Sequence, residues 1–350
     1  MTKDKVLLYG ANGYTGTLIV RYAKEYNLQP ILAGRNETEI STLASSLNLS
    51  YIIFSLDDVL KLKEALADVA VVIHAAGPFH HTARQMVEAC IETGTHYIDI
   101  NGDVSVFEFI KKYDAKAKRA NVMLLPGAGF DVVPTDCIAL SLKNKLPDAT
   151  HLEIAFVTLG GQISHGTATT MASKAGEGSV VRENGVFVKK QLGHKAKWIE
   201  ADGKKLFVMS IPWGDISTAY FTTGIPNIET YTGMKPPVYR MLKFQFLFNW
   251  LLRTKSVRSY IQKKINKNPA GPSDEKRANA KTYVWGRVTN AEGKELVEKI
   301  VCADGYSVTA LSCLLITQKI LAGNFKTGYQ TPASCFGSEL IFEIPGTKKI

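Results

Sequence analysis

The run Val6-Leu7-Leu8-Tyr9-Gly10-Ala11-Asn12-Gly13-Tyr14-Thr15-Gly16 limits the possible folds more than any other stretch of the chain. Four apolar residues enter a glycine-rich turn, and a helical pattern follows to Glu25. Strand, glycine turn and helix in that order predict a phosphate-binding entrance. Gly10 lets the chain reverse tightly, Gly13 lets the backbone approach a pyrophosphate, and Gly16 lets the new helix lie close on the sheet. The helix start then offers backbone N–H groups and a partial positive charge to the phosphates. Residues 10–16 are therefore the first cofactor-binding candidates.

The pattern after this turn keeps the same rhythm. Short β-rich runs at 6–9, 31–33, 51–54, 69–74, 96–100 and 122–125 alternate with helical patterns at 37–47, 59–66, 82–93 and 104–120. Alternation of this kind predicts a doubly wound parallel sheet covered on both faces, and the unbroken apolar runs Val6-Leu7-Leu8 and Val69-Ala70-Val71-Val72-Ile73 suit strands buried on both sides. Beyond Pro147 the rhythm changes to glycine-bounded β patterns, a short helix opening on Ser164-His165-Gly166-Thr167, and a hairpin around Asn290-Ala291-Glu292-Gly293. A long apolar helix follows over 307–321. The expected architecture is an α/β chain: a Rossmann-type nucleotide-binding domain over 1–146, an inserted α+β domain of mixed or antiparallel sheet over 147–303, and a C-terminal helix and tail over 304–350 returning to the first domain.

Ligands of open parallel sheets bind at the carboxyl ends of the strands. The second strand ends in Gly34-Arg35-Asn36. Where an NAD site usually carries a carboxylate for the ribose hydroxyls, Arg35 offers a guanidinium suited to a 2′-phosphate, which favours NADP(H) over NAD(H). Ala75-Ala76-Gly77-Pro78 follow the fourth major strand, and their small side chains allow a ribose to pass. Asn101-Gly102-Asp103 and Gly127-Ala128-Gly129-Phe130-Asp131, after the next two strands, fall at the nicotinamide end.

Bulk composition narrows the partners. Of 42 Lys/Arg, twelve lie between Lys235 and Lys281 against only Asp274 and Glu275, so the other thirty balance the remaining thirty acids. A general affinity for nucleic acid is not indicated, but a local basic surface is. Five scattered cysteines without Cys-x-x-Cys spacing read as buried reduced thiols, and no metal-binding motif occurs. The short polar stretch before the first strand leaves no room for a signal peptide, giving a cytoplasmic expectation.

The ordered set Gly10–Gly16, Ala33-Gly34-Arg35, Ala75-Ala76-Gly77-Pro78-Phe79, Gly94-Thr95-His96-Tyr97-Ile98-Asp99-Ile100-Asn101-Gly102-Asp103 and Pro126-Gly127-Ala128-Gly129-Phe130-Asp131 resembles the saccharopine dehydrogenase-like oxidoreductases, including trans-acting enoyl reductases. The later runs Gly271-Pro272-Ser273, Gly305-Tyr306 and Gly328-Tyr329-Gln330-Thr331-Pro332 extend the likeness over nearly the whole chain. The resemblance implies NADP-dependent redox chemistry. The family carries Glu where this chain has Asp103, and the amino-acid-binding arginines of the lysine-pathway enzymes are not recognisable. The resulting expectation is a reductase acting on C=C or C=N of a lipophilic small molecule. An amino-acid dehydrogenase, or an NADP(H) sensor or membrane-associated scaffold without turnover, stand as alternatives.

Three residues are candidates for a proton donor: His165, Asp103 and Asp131. Each has an ordinary structural alternative as helix-terminal partner, helix cap or turn former. Tyr-x-x-x-Lys spacing at Tyr231/Lys235, Tyr239/Lys243 and Tyr260/Lys264 falls in or beside the lysine-rich stretch and reads as coincidence. Within 238–266, Phe244-Gln245-Phe246-Leu247-Phe248-Asn249-Trp250-Leu251-Leu252 is flanked by cations. Drawn as one helix, it has a narrow polar stripe of Gln245, Asn249 and Arg253. It is too short to span a bilayer, which takes about 20 apolar residues. Two readings stay open: packing inside the second domain or at a homodimer contact, and contact with an anionic membrane surface.

Overall fold

The computed structural model describes residues 3–350. Along the chain the elements are β1 (Lys5–Tyr9), α1 (Tyr14–Ala23), β2 (Ile31–Gly34), α2 (Glu37–Leu47), β3 (Tyr51–Ile53), α3 (Val59–Leu66), β4 (Val69–His74), α4 (Phe79–Thr93), β5 (His96–Asp99), α5 (Val104–Lys111), α6 (Asp114–Arg119) and β6 (Met123–Leu125). Next come α7 (Val133–Lys145), β7 (Ala149–Leu159), α8 (His165–Ser173), β8 (Ser179–Glu183), β9 (Val186–Lys190), β10 (Ala196–Ala201), β11 (Lys204–Ser210), α9 (Asp215–Thr223) and β12 (Asn227–Gly233). The rest is α10 (Pro236–Leu242), α11 (Asn249–Leu252), α12 (Lys255–Ile265), α13 (Asp274–Asn279), β13 (Lys281–Asn290), β14 (Glu295–Cys302), α14 (Gly305–Leu321), β15 (Gly328–Tyr329), α15 (Pro332–Phe336) and β16 (Lys348–Lys349).

Two compact units result: residues up to Cys137 with Gly305–Ile344, and Ile138–Asp304 with Pro345–Ile350. The division falls inside α7, not at the 146/147 boundary read from the sequence. The last six residues join the second unit because β16 pairs with β14, Lys349 opposite Ile300.

Unit one holds a seven-stranded parallel sheet in the order β15-β6-β5-β4-β1-β2-β3. Apart from the edge strand β15, this is the doubly wound dinucleotide-binding order. Every residue of β4 is buried, as its unbroken apolar run requires. The helices end where local chemistry ends them. Asn36 caps α2 by accepting from Glu39 N–H at 3.2 Å, and Gly94 closes α4 in the left-handed region at φ +69°. The expected single helix over 104–120 is two helices. The break at Lys112–Tyr113 lets α6 begin at Asp114, whose carboxylate accepts Tyr329 N–H at 2.9 Å and so holds β15. That long-range bond leaves no local trace in the sequence.

Unit two is built on a mixed sheet ordered β10-β11-β12-β7-β13-β14-β16, with the β8–β9 hairpin attached to β12. β12, parallel to β7, and β10 were not anticipated. On one face Gly286 of β13 lies so close to α7 that a Cβ there would stand 2.4 Å from Ile138. The other face gathers Ala155, Val157, Val208, Tyr231, Tyr283 and Trp285. All five cysteines are buried and unbridged.

The stretch 238–266 departs from expectation. It is not one helix but α10, a 3-10 turn at Gln245–Leu247, α11 and α12, the last opened by Thr254 as N-cap. Little of it is buried: α10 and α11 have no buried residue, and only Gln245 and Ile265 of the stretch are buried.

Candidate functional site

Three glycines in the first turn meet three different surroundings. Gly10 sits at φ +88°, and a Cβ there would lie 2.9 Å from Ala75 and Ala76, so it is required by conformation and by the neighbouring loop. Gly16 touches the chain itself: a Cβ would fall 2.2 Å from the Gly10 carbonyl oxygen and 2.9 Å from Ala11. Gly13 is different. Its only neighbour within 4 Å is the Gly10 oxygen at 3.2 Å, so the space beside it is otherwise open. Gly13 is also the N-cap of α1, extended at φ −70°, ψ 161°, with no side-chain cap and no acid in the first turn. The helix thus presents its positive end, uncapped, to that open space.

Neighbouring groups hold the turn. Gly10 N–H donates to Ala33 O at 2.8 Å, tying it to β2. The Asn12 amide donates to Glu39 at 2.6 Å, tying it to α2. Tyr14 packs edge-on against Tyr306 of α14, with ring centroids 5.1 Å apart. A Cβ on Gly34 would touch both Ile40 and Asn12, at 3.1 and 3.3 Å, so β2 must end in glycine for the turn to sit there. Arg35 follows, exposed, and among the described residues no carboxylate pairs with it. Ala75 and Ala76 lie against the glycine turn, and Gly77-Pro78 leads into α4.

The ends of β4, β5 and β6 are joined by buried polar groups that sequence reasoning missed. His74 Nδ1 lies 3.2 Å from the Tyr97 hydroxyl, which donates to Asp99 Oδ2 at 2.6 Å. Asp99 Oδ1 accepts the N–H groups of Asn101 at 2.9 Å and Gly127 at 2.8 Å. Burial pushes the Asp99 carboxyl up to about 6 and lowers His74 to about 3, so His74 is neutral. This network clamps the turn after β5 to the turn after β6. The signal was present as polar residues closing otherwise apolar strands, in Val-Ala-Val-Val-Ile-His and His-Tyr-Ile-Asp. Asn101 Oδ1 accepts Asp103 N–H at 2.6 Å, and its buried side-chain amide also faces Asp99, whose carboxylate it stabilises. The open cradle at Gly13, before an uncapped helix start at the carboxyl ends of these strands, fits a dinucleotide.

Residues 6–125 match the family described as the saccharopine dehydrogenase NADP binding domain. Over that stretch the chain is similar to a saccharopine dehydrogenase-type nucleotide-binding domain. That match agrees with the resemblance read from the motifs and indicates a nicotinamide cofactor for this part of the chain. A protein named lipid droplet localized protein from Caenorhabditis elegans is 29% identical over 174 residues, which is 45% of this chain and 41% of that relative. A saccharopine dehydrogenase-like oxidoreductase from Bos taurus is 26% identical over 176 residues, 44% of this chain and 41% of the relative. This chain thus spans well under half the length of these curated relatives. In fold it is similar to saccharopine dehydrogenase (L-Glu forming) from Saccharomyces cerevisiae, with a TM-score of 0.68 at 13% identity, covering 99% of this chain and all of that one.

The three proton-donor candidates separate. The Asp103 carboxylate caps α5, accepting Ser105 N–H at 2.9 Å and its hydroxyl at 2.8 Å. Asp131 lies against Gly102, where a Cβ would sit 2.6 Å from Asp131 Oδ2. No hydrogen-bond donor reaches Asp131 among the described residues, and burial alone pushes its carboxyl up to about 7. Helix α14 fixes the loop that carries it: Thr309 Oγ1 accepts Phe130 N–H at 3.0 Å, and Ser312 Oγ donates to Ala128 O at 2.6 Å. His165 belongs to unit two. It opens α8 and hydrogen-bonds Asn266 of α12 through Nε2 at 2.9 Å. The Tyr-x-x-x-Lys pairs are structural. Tyr231 donates to Glu229 within the sheet of unit two, and Lys243 and Lys264 lie over the rings of Tyr239 and Tyr260 at 5.3 and 5.0 Å. Among the described residues no group of three or more His, Cys, Asp or Glu could hold a metal ion.

Proposed function

We propose that the protein is an NADPH-dependent reductase that adds hydride and a proton across a C=C or C=N bond of a mainly apolar substrate. Asp131 carries this reading. A carboxyl raised to about 7 beside Gly102, at the carboxyl edge of a nicotinamide-binding sheet, holds a proton at neutral pH and can release it. When bound, the cofactor supplies the hydride. Asp131 holds the proton taken up by the far atom of the double bond and regains one from solvent afterwards. The His74–Tyr97–Asp99 clamp keeps Asn101 and the turn that carries it in place beside the bound group. The NADPH preference is read from Arg35, whose guanidinium suits a 2′-phosphate. The name of the nematode relative is consistent with an apolar substrate.

The test follows NADPH oxidation against enoyl thioesters, cyclic imines and the 2-oxoglutarate–lysine pair. Turnover on the first two classes is expected, falling as pH rises through about 7 as Asp131 loses its proton. Asp131→Asn lowers kcat by about 10²-fold or more with NADPH binding retained. Arg35→Ala weakens NADPH binding by about 10-fold and leaves NADH binding unchanged. Tight NADPH binding without turnover on any class would overturn the reductase in favour of a sensor. Turnover confined to the amino-acid pair would favour a dehydrogenase of saccharopine type.

A further inference from the structure

In unit two, the segment following β12 is built inside out. Its polar stripe faces inward. Gln245 is buried and donates to Leu192 O at 2.8 Å, Asn249 donates to Gln245, and Arg253 Nε donates to Gly176 O at 2.7 Å. Gly176, at φ +80°, has no room for a Cβ beneath the Asn249 carbonyl, so the two chain segments touch backbone to backbone. The apolar side chains point to solvent. Phe244 is 59% exposed, Phe246 63%, Leu247 61% and Trp250 67%, with Met241 and Leu251 beside them in the chain. Trp250 donates its only polar hydrogen to Leu247 O at 2.9 Å, so the indole can leave water with nothing unsatisfied. Large exposed apolar patches on folded proteins mark interaction surfaces.

The charge around this patch identifies the occupant. No Asp or Glu occurs from Thr230 to Ser273. Lys235, Arg240, Lys243, Lys255, Lys263 and Lys264 are exposed, and among the described residues none is paired with a carboxylate. A second copy brought up by a two-fold axis would set these cations against one another with no acid between them. A nucleic acid would satisfy the cations but has no use for Leu247, Leu251 or Met241. An anionic bilayer satisfies both: phosphate headgroups receive the cations, while aromatic and aliphatic side chains enter the boundary between headgroups and acyl chains.

We propose that residues 235–265 form a docking surface that seats the protein on an anionic lipid bilayer, with Phe244, Phe246, Leu247 and Trp250 inserted and the flanking lysines and arginines on the headgroups. This surface is independent of the proposed reaction. No helix among the described residues is long and apolar enough to cross a membrane, so the contact is interfacial.

The test is co-sedimentation of the full chain with sucrose-loaded vesicles of phosphatidylcholine alone, or with roughly one-third phosphatidylserine, at low and high salt. We expect at least about 10-fold more protein on the anionic vesicles at low salt, with most of it released at high salt. Brominated lipid should quench a component of the tryptophan emission that Trp250→Phe removes. The double substitution Phe246→Glu, Leu247→Glu lies on exposed positions, so it should leave the melting temperature unchanged while cutting vesicle binding by about 10-fold. Wild-type protein that stays in the supernatant with anionic vesicles at low salt overturns the proposal. So does vesicle binding that this double variant retains. A dimer in sedimentation velocity that the double variant dissolves, without vesicle binding, assigns the patch to a second copy instead.

Discussion

The glycine turn at 10–16 and the segment at 236–265 are both strongly patterned, yet the first takes the shape its pattern implies and the second reverses it. In the turn the constraint is local. A left-handed Gly10, a Gly16 pressed on the preceding carbonyl and a Gly13 facing open space are demands of one short stretch of backbone. In the later segment the pattern names two faces without saying which meets the protein. Carbonyl oxygens of Leu192 and Gly176, far away in sequence, recruit Gln245 and Arg253, and the apolar face is left outside. Periodicity identifies faces; partners decide which is buried.

Five substitutions would break or sharpen this contrast. The largest effect is expected in the turn. Gly16→Val forces side-chain atoms into the Gly10 carbonyl and Ala11, and should cost more than about 3 kcal/mol in chemical denaturation. Gly13→Ala, meeting one atom at 3.2 Å, should cost less than about 1 kcal/mol yet weaken NADPH binding by about 10-fold or more in calorimetry. If both glycines behave alike, the distinction between a packing glycine and a ligand-facing one fails.

Next comes Asp131. Its folded value of about 7 lies above the ordinary carboxylate range, so the folded state binds the extra proton between about pH 4 and 7. Stability from this group is full below pH 4 and is lost as pH rises through about 7. Asp131→Asn should therefore remove that slope and raise stability at pH 8 by about 1–2 kcal/mol in urea melts. A variant no more stable than wild type at pH 8 would contradict a desolvated carboxyl.

The inverted segment is expected to show smaller effects. Gln245→Leu, a substitution a conventional amphipathic helix would welcome, should destabilise by about 1–2 kcal/mol because Leu192 O loses its buried partner. Leu247→Ser, removing a large apolar residue, should change stability by less than about 0.5 kcal/mol. The opposite ranking in thermal melts would mean that the segment has its usual face inward.

The same division runs through the rest of the molecule. The strands and helices of the parallel sheet were legible because burial on both faces writes continuous apolar runs, whereas the caps that Asn36 and Asp58 make emerged only from the structure. The glycine turn was legible too, since Gly10 takes the left-handed conformation and Gly16 the close approach that its spacing implied. The clamp through His74, Tyr97 and Asp99 was not, since each of these looks ordinary until three strand ends are set side by side. The candidate acids could not be ranked from the sequence either. Asp103 and Asp131 both follow glycine-containing turns, and only the fold gives one a cap to make and sets the other, half-buried, against Gly102.

Backbone conformation and the alternation of apolar runs are properties of short stretches, so the residues alone determined the parallel sheet and the glycine turn that opens it. The protonation of Asp131, the break before Asp114 and the outward apolar face at 236–265 each depend on groups tens to hundreds of residues away. Those were decided only when the folded chain set desolvation and hydrogen-bond partners in place.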